Sequence, residues 1–122
     1  MNICYIFLMA VILNQKENRI FSRLDFNSQV RYQVRGKPDF DNAISNDISC
    51  GGLRFTSNRF IPTATAVMLE INVLDRVLKP IGKVAWSRPV SHSQRNQTGI
   101  EFVEFNILEK NYLKDFINMQ QG

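Results

Sequence analysis

The chain has 122 residues, enough for one domain and short for two, and at 44% hydrophobic and 21% charged, with nine phenylalanines, it can fill one compact core. That composition excludes a disordered or low-complexity protein. The formal net charge is +4, and most of it is local: Lys16, Arg19, Arg23, Arg31 and Arg35 stand against Glu17 and Asp25, five minus two, a local excess of +3. Such a segment suits phosphate or nucleic acid, with a solvated charged face as the plain alternative.

In chain order, Ile3 to Leu13 is an apolar run of eleven without a charge. A membrane-spanning helix needs about 20 such residues, and neither a basic start nor a small-residue cleavage site marks a signal peptide. Three readings stay open: an element packed on the domain, a partner or membrane-associating interface, or the tail of a longer span with a start further upstream. Residues 1–15 are therefore set apart as an apolar N-terminal extension. From Gln29 to Arg35 the residues Val30, Tyr32 and Val34 alternate with polar ones, the period of a half-buried strand. Gly36-Lys37-Pro38 ends it with a turn signal. Further strands are predicted over Asp41 to Ile48, Leu53 to Thr56, Ala66 to Leu74, Ile81 to Arg88 and Thr98 to Phe105, with a polar loop over Ser91 to Gln97. Short strands so closely spaced predict a sandwich or barrel. The period then changes. Leu108, Tyr112, Leu113, Phe116 and Ile117 recur at helical spacing behind Asn106 and Glu109, which read as an N-cap close to a capping box. Phe55, Phe102 and Phe105 read as core.

No nucleophile–base set, paired-carboxylate motif, phosphate loop or metal-ligand cluster is visible, so no enzyme, no metal and no cofactor is expected. Cys4 and Cys50 have neither metal spacing nor a disulfide framework, and the reducing cytoplasm is the expected location. His92 has no partners for a triad or a zinc site and reads as a loop or strand-end residue.

Two short patterns remain: Arg19-Ile-Phe-Ser-Arg23, an R-x-x-x-R, and Asp47-Ile-Ser49-Cys-Gly-Gly52, a D-x-S-x-x-G. An arginine is a flat, permanently charged fork that can bind phosphate bidentately, grip the edge of guanine or stack on a base. The carboxylate of Asp47 accepts only, which matches the two adjacent donors on a guanine edge. Ser49 follows on the same side of an extended chain, and Gly51 and Gly52 allow a sharp turn and close approach. Each pattern alone is common: R-x-x-x-R arises by chance in basic proteins, and D-x-S-x-x-G is an ordinary turn in which Asp and Ser cap amides. Their order, about one hairpin apart, makes the pair informative.

The segment Glu17 to Asp25 resembles the opening of PilZ domains, and Asp47 to Phe55 (DISCGGLRF) resembles their second signature. Gly82-Lys-Val-Ala-Trp86 is similar to the family's G-x-V-x-W strand and Gly99-Ile-Glu-Phe102 to its G-x-x-F strand. The resemblance spans about Glu17 to Phe105. It implies an all-β fold, a six-stranded antiparallel β-barrel with a C-terminal α-helix, as a PilZ-like domain over residues 16–120: a ligand-clasping segment at 16–27, the barrel at 28–105 and the helix at 107–119. It also implies a receptor for the second messenger cyclic di-GMP, often bound as an intercalated dimer. Arg19 and Arg23 would clasp guanines and phosphates while Asp47, Ser49 and Gly52 hold the other side. Trp86 is a weaker candidate for stacking, a lone strand aromatic being more often core, and Arg88 two residues on is weaker still. Asn18 stands where many members have an additional arginine, which bears on affinity and stoichiometry.

The expectation is a receptor or adaptor whose N-terminal segment is reordered by cyclic di-GMP, so that a protein target in motility, biofilm or exopolysaccharide control is regulated. A PilZ-type interaction module that binds no nucleotide is the alternative. A barrel for single-stranded nucleic acid is disfavoured, because the aromatics sit in alternating strand positions rather than spread as exposed platforms.

Overall fold

A computed structural model describes residues 23–121. Arg19, Cys4 and the apolar run Ile3 to Leu13 lie outside the described residues. Among the described residues, eight strands and one helix follow one another: β1 (Leu24–Asp25), β2 (Gln29–Val34), β3 (Asp41–Ile48), β4 (Gly52–Ser57), β5 (Ala66–Val73), β6 (Arg76–Leu78), β7 (Ile81–Pro89), β8 (Asn96–Glu104) and α1 (Ile107–Gln121). Every strand pairing is antiparallel. The order β3-β2-β5-β7-β8-β4 closes on itself through β3–β4, a six-stranded barrel to which β1 and β6 are short additions on β3 and β5.

Alternation built this barrel where it was expected. Val30 and Tyr32 of β2, Leu53 and Phe55 of β4, and Val67, Leu69, Ile71 and Val73 of β5 all point inward and are buried. Tyr32 stacks on Phe55 with ring centroids 5.1 Å apart. Phe102 and Phe105 only border this core, half-buried and edge to face. At one end α1 lays down Leu113, Phe116 and Ile117 of the stripe its sequence spacing announced, with Tyr112 partly buried beside them and Leu108, in the first turn, left exposed. Asn106 caps it, its side-chain oxygen accepting the N–H groups of Leu108 at 2.8 Å and Glu109 at 3.2 Å. Glu109 does not complete a capping box; its carboxylate accepts the Lys79 N–H at 2.9 Å and pins the helix to the β6–β7 turn. Leu74, expected at the end of a strand, instead takes a left-handed φ of 57° in the β5–β6 turn. His92 does the same in the exposed β7–β8 loop, with φ 59°.

Two irregularities decide what the outer surface looks like. The β3–β4 register shifts between Ser45 and Asp47, and the β7–β8 register shifts between Val84 and Trp86. Each shift inserts one extra residue, Asn46 and Ala85. Strict alternation would put Asp47 on the same side as inward-facing Ser45, and Trp86 on the same side as inward-facing Val84. A β-bulge flips the residue that follows it. Both side chains therefore leave the core and emerge on the outside of the barrel. No helix among the described residues is long and apolar enough to cross a membrane.

Candidate functional site

With both bulges in place, one row of residues runs straight across three strand boundaries. Asp47 pairs with Arg54, Arg54 with Gly99, and Gly99 with Trp86. The row is continued at its near end by β1, where Asp25 lies opposite Asp47.

Asp47 is the anchor. Its side chain is only 9% exposed and both carboxylate oxygens are taken, Oδ1 by an Arg23 terminal nitrogen at 2.5 Å and Oδ2 by an Arg54 terminal nitrogen at 2.6 Å. A shielded carboxylate requires such partners, because an uncompensated charge at this depth would be costly. Arg23 comes from the chain just before β1, so this ion pair ties the N-terminal segment to the barrel wall. The Arg23 carbonyl in turn accepts from the Gln121 side-chain amide at 3.4 Å, and Phe26 meets Phe116 edge to face at 5.9 Å. The C-terminal end of α1 thus rests on the segment that carries Arg23. The Arg54 Nε is buried, and no protein group among the described residues accepts from it.

Next to this cluster lies an open cleft of about 240 Å³ lined by Arg23, Ser49, Gly52, Trp86, Gly99 and Glu101, among others. Ser49 shapes its rim rather than offering a spare hydroxyl. The Ser49 Oγ accepts the N–H groups of Gly51 at 3.1 Å and Gly52 at 3.2 Å, closing the β3–β4 turn. A Cβ on Gly52 would strike the Ile100 carbonyl oxygen, so only glycine lets β4 and β8 approach here. Gly99 does the same for the indole of Trp86, which lies where its Cβ would be. Trp86 is 38% exposed, hence part of the surface and not of the core. The Arg88 guanidinium sits over its ring, 5.2 Å from the centroid, and bonds Gln97 at 3.2 Å.

Of the residues singled out by sequence, Arg23, Ser49, Gly52 and Trp86 line one cleft, and Asp47 stands behind Arg23 and grips it. Arg19 is outside the described residues. Arg54, Gly99 and Glu101 belong to the same surface and were not singled out. Among the described residues no group of His, Cys, Asp or Glu could hold a metal ion.

Residues 17–119 match the PilZ domain family. The chain is a PilZ domain. Solved structures give the same fold at low identity. The Bacillus subtilis inhibitor of motility, MotI/DgrA, superposes with a TM-score of 0.75 at 17% identity, over 86% of this chain and 52% of that one. Borreliella burgdorferi PlzA, solved in complex with c-di-GMP, gives 0.65 at 16% identity, over 90% of this chain and 45% of that one. The PilZ domain of Escherichia coli YcgR, solved with c-di-GMP, gives 0.66 at 12% identity, over 84% of this chain and 91% of that domain. This PilZ chain thus spans about half the length of the first two and nearly all of the third. No curated protein sequence matches it.

Proposed function

We propose that this PilZ domain is a cyclic di-GMP receptor that acts as an adaptor in the cytoplasm rather than as an enzyme. The observation that carries the reading is the Arg23–Asp47 ion pair, which brings a guanidinium from the N-terminal segment over a cleft walled by Ser49, Gly52 and Trp86. The chemistry fits a guanine nucleotide. Asp47 can accept from the guanine edge, Arg23 can bind phosphate or stack, and the glycines let the backbone come close. The PilZ structures of PlzA and YcgR, solved with c-di-GMP, support the same ligand class. At about 240 Å³ the cleft is smaller than the roughly 300–1,000 Å³ of pockets that enclose drug-sized ligands. It would take in part of a dinucleotide, leaving the rest to Arg19 and its neighbours.

The output would begin at Arg23. A ligand that draws this guanidinium away from Asp47 shifts the segment before β1, and with it the contact to Gln121 at the end of α1. A protein target in motility, biofilm or exopolysaccharide control would read that change.

Isothermal titration with cyclic di-GMP is the test. Binding at micromolar protein is expected, weakened at least about 30-fold in Arg23→Ala and Asp47→Ala. An absence of heat from the wild type overturns the reading. It would favour a PilZ-type module working by protein contacts alone, for which the exposed Val103, Ile107 and Leu108 around the β8–α1 junction offer a surface.

A further inference from the structure

The cleft is lined by two charged side chains of opposite sign, Arg23 from the N-terminal segment and Glu101 from β8. Glu101 is exposed, whereas the Asp47 carboxylate is shielded. A carboxylate is out of place in a cleft that takes only phosphate, because it repels the ligand's own charge. It suits another part of a guanine nucleotide, the base edge with two adjacent donors, N1–H and the 2-amino group. The position of Glu101 fits that use. On β8, Gly99 lies opposite Trp86, and Glu101 follows two residues later on the same outer face, between Gly52 of β4 and Lys83 of β7. Trp86 and Glu101 are therefore diagonal neighbours, roughly 7–8 Å apart at the backbone, within reach of an aromatic and a long side chain. Gly52 and Gly99 add no side chain between them. A flat ring, two bare stretches of backbone and a carboxylate thus share the floor of one cleft. Asp47 is differently placed. It stands behind the lining, and guanidiniums hold both its oxygens until Arg23 leaves.

We propose that Glu101 determines base selectivity in this cleft, its two oxygens accepting from N1–H and the 2-amino group of a guanine laid along Trp86 while Arg23 meets phosphate. The inference rests on the receptor reading above and supplies what that reading lacks, a reason for guanine over other bases. Adenine has an acceptor at N1 and no 2-amino group, so it would set lone pairs against the carboxylate. A dinucleotide carries two guanines, and Glu101 and Asp47 need not compete for one.

The sign of a single substitution tests the proposal. If Glu101 only adds charge to the surface, Glu101→Gln removes a repulsion and leaves binding of an anionic dinucleotide equal or tighter, most visibly at low salt. If Glu101 contacts guanine, the same change weakens binding, because an amide donor now faces the base donors. Isothermal titration of the full chain at low and moderate salt would use cyclic di-GMP and its inosine analogue, which lacks the 2-amino group. The wild type is expected to bind the guanine form about tenfold more tightly than the inosine form. In Glu101→Gln the affinity for cyclic di-GMP should fall at least about tenfold and the preference over inosine should shrink. Glu104→Gln, exposed on the same strand but outside the cleft, should change neither. Equal or tighter binding in Glu101→Gln overturns the proposal, as does a wild type with no preference or a variant that keeps the whole of it. In those cases the wild type still binds and the receptor reading stands. No heat from the wild type with cyclic di-GMP overturns that reading, and this proposal with it.

Discussion

Two cross-strand pairs of the same chemistry sit in different parts of this barrel. On β2 and β5, Arg31 lies directly opposite Glu70 and bonds it at 2.9 Å, with side chains 51% and 25% exposed. On β3 and β4, Asp47 lies directly opposite Arg54, with side chains 9% and 35% exposed. The first pair is complete: one cation, one anion, and the Arg31 guanidinium laid over Phe40 at 4.3 Å. The second has two cations on one anion. Exposed pairs decorate a sheet at little gain or cost, whereas a shielded carboxylate with two guanidiniums is a poor way to stabilise one. The two pairs therefore differ in burial and in the number of cations per anion, not in the groups that meet.

Removing the shared carboxylate should give the largest effect. Asp47→Ala leaves Arg23 and Arg54 without a counter-charge and is expected to lower unfolding free energy by about 2 kcal/mol in chemical denaturation. That is below the 3–5 kcal/mol of a fully buried broken pair, because both arginines can turn toward water. An effect no greater than that of Glu70→Ala would erase the contrast. Gly99→Ala comes next. The new methyl displaces the indole of Trp86, the chain's single tryptophan, so its emission should move to longer wavelength with a loss of about 1–2 kcal/mol. Unchanged emission would mean that the indole is not seated on Gly99. Glu70→Ala should cost about 0.2–1 kcal/mol at low salt and next to nothing at 1 M salt, as expected of an exposed pair. The gentlest test concerns the core that both faces share. Burial raises the Tyr32 phenol above its ordinary value of about 10, with the Ser57 hydroxyl and Arg59 pulling the other way and Asp41 adding to the rise. The unfolded chain therefore ionises first. The stability Tyr32 contributes is whole below pH 10 and is lost as pH rises through the folded-state value. Tyr32→Phe should make the alkaline decline in melting temperature shallower.

Particular residues show how far the fold and the site are legible in the sequence. Val30, Tyr32 and Val34 announce β2 because one face of the strand is buried and period two survives in the residue types. Strands β1 and β6, of two and three residues, are too short to show any period. In the site, Asp47 and Gly52 are visible only through the order of the two patterns, since a carboxylate before a glycine turn is common by itself. Ser49 was expected to face a ligand, yet its hydroxyl is spent on the turn. Trp86 reads as core under simple alternation, and the bulge at Ala85 is what brings it out. Arg54 escapes for the same reason from the other side. It looks like an ordinary outward residue of a strand, and only the bulge at Asn46 brings Asp47 round to meet it. Alternation is written in residue types; the places where it skips are set by pairing between distant strands.

The contact between Gln121 and the Arg23 carbonyl joins positions 98 apart in sequence. The end of α1 therefore reaches the side of the cleft that Arg23 lines. A fluorophore attached at residue 121 would stand beside the Arg23 backbone and would be placed to register a ligand arriving under Arg23.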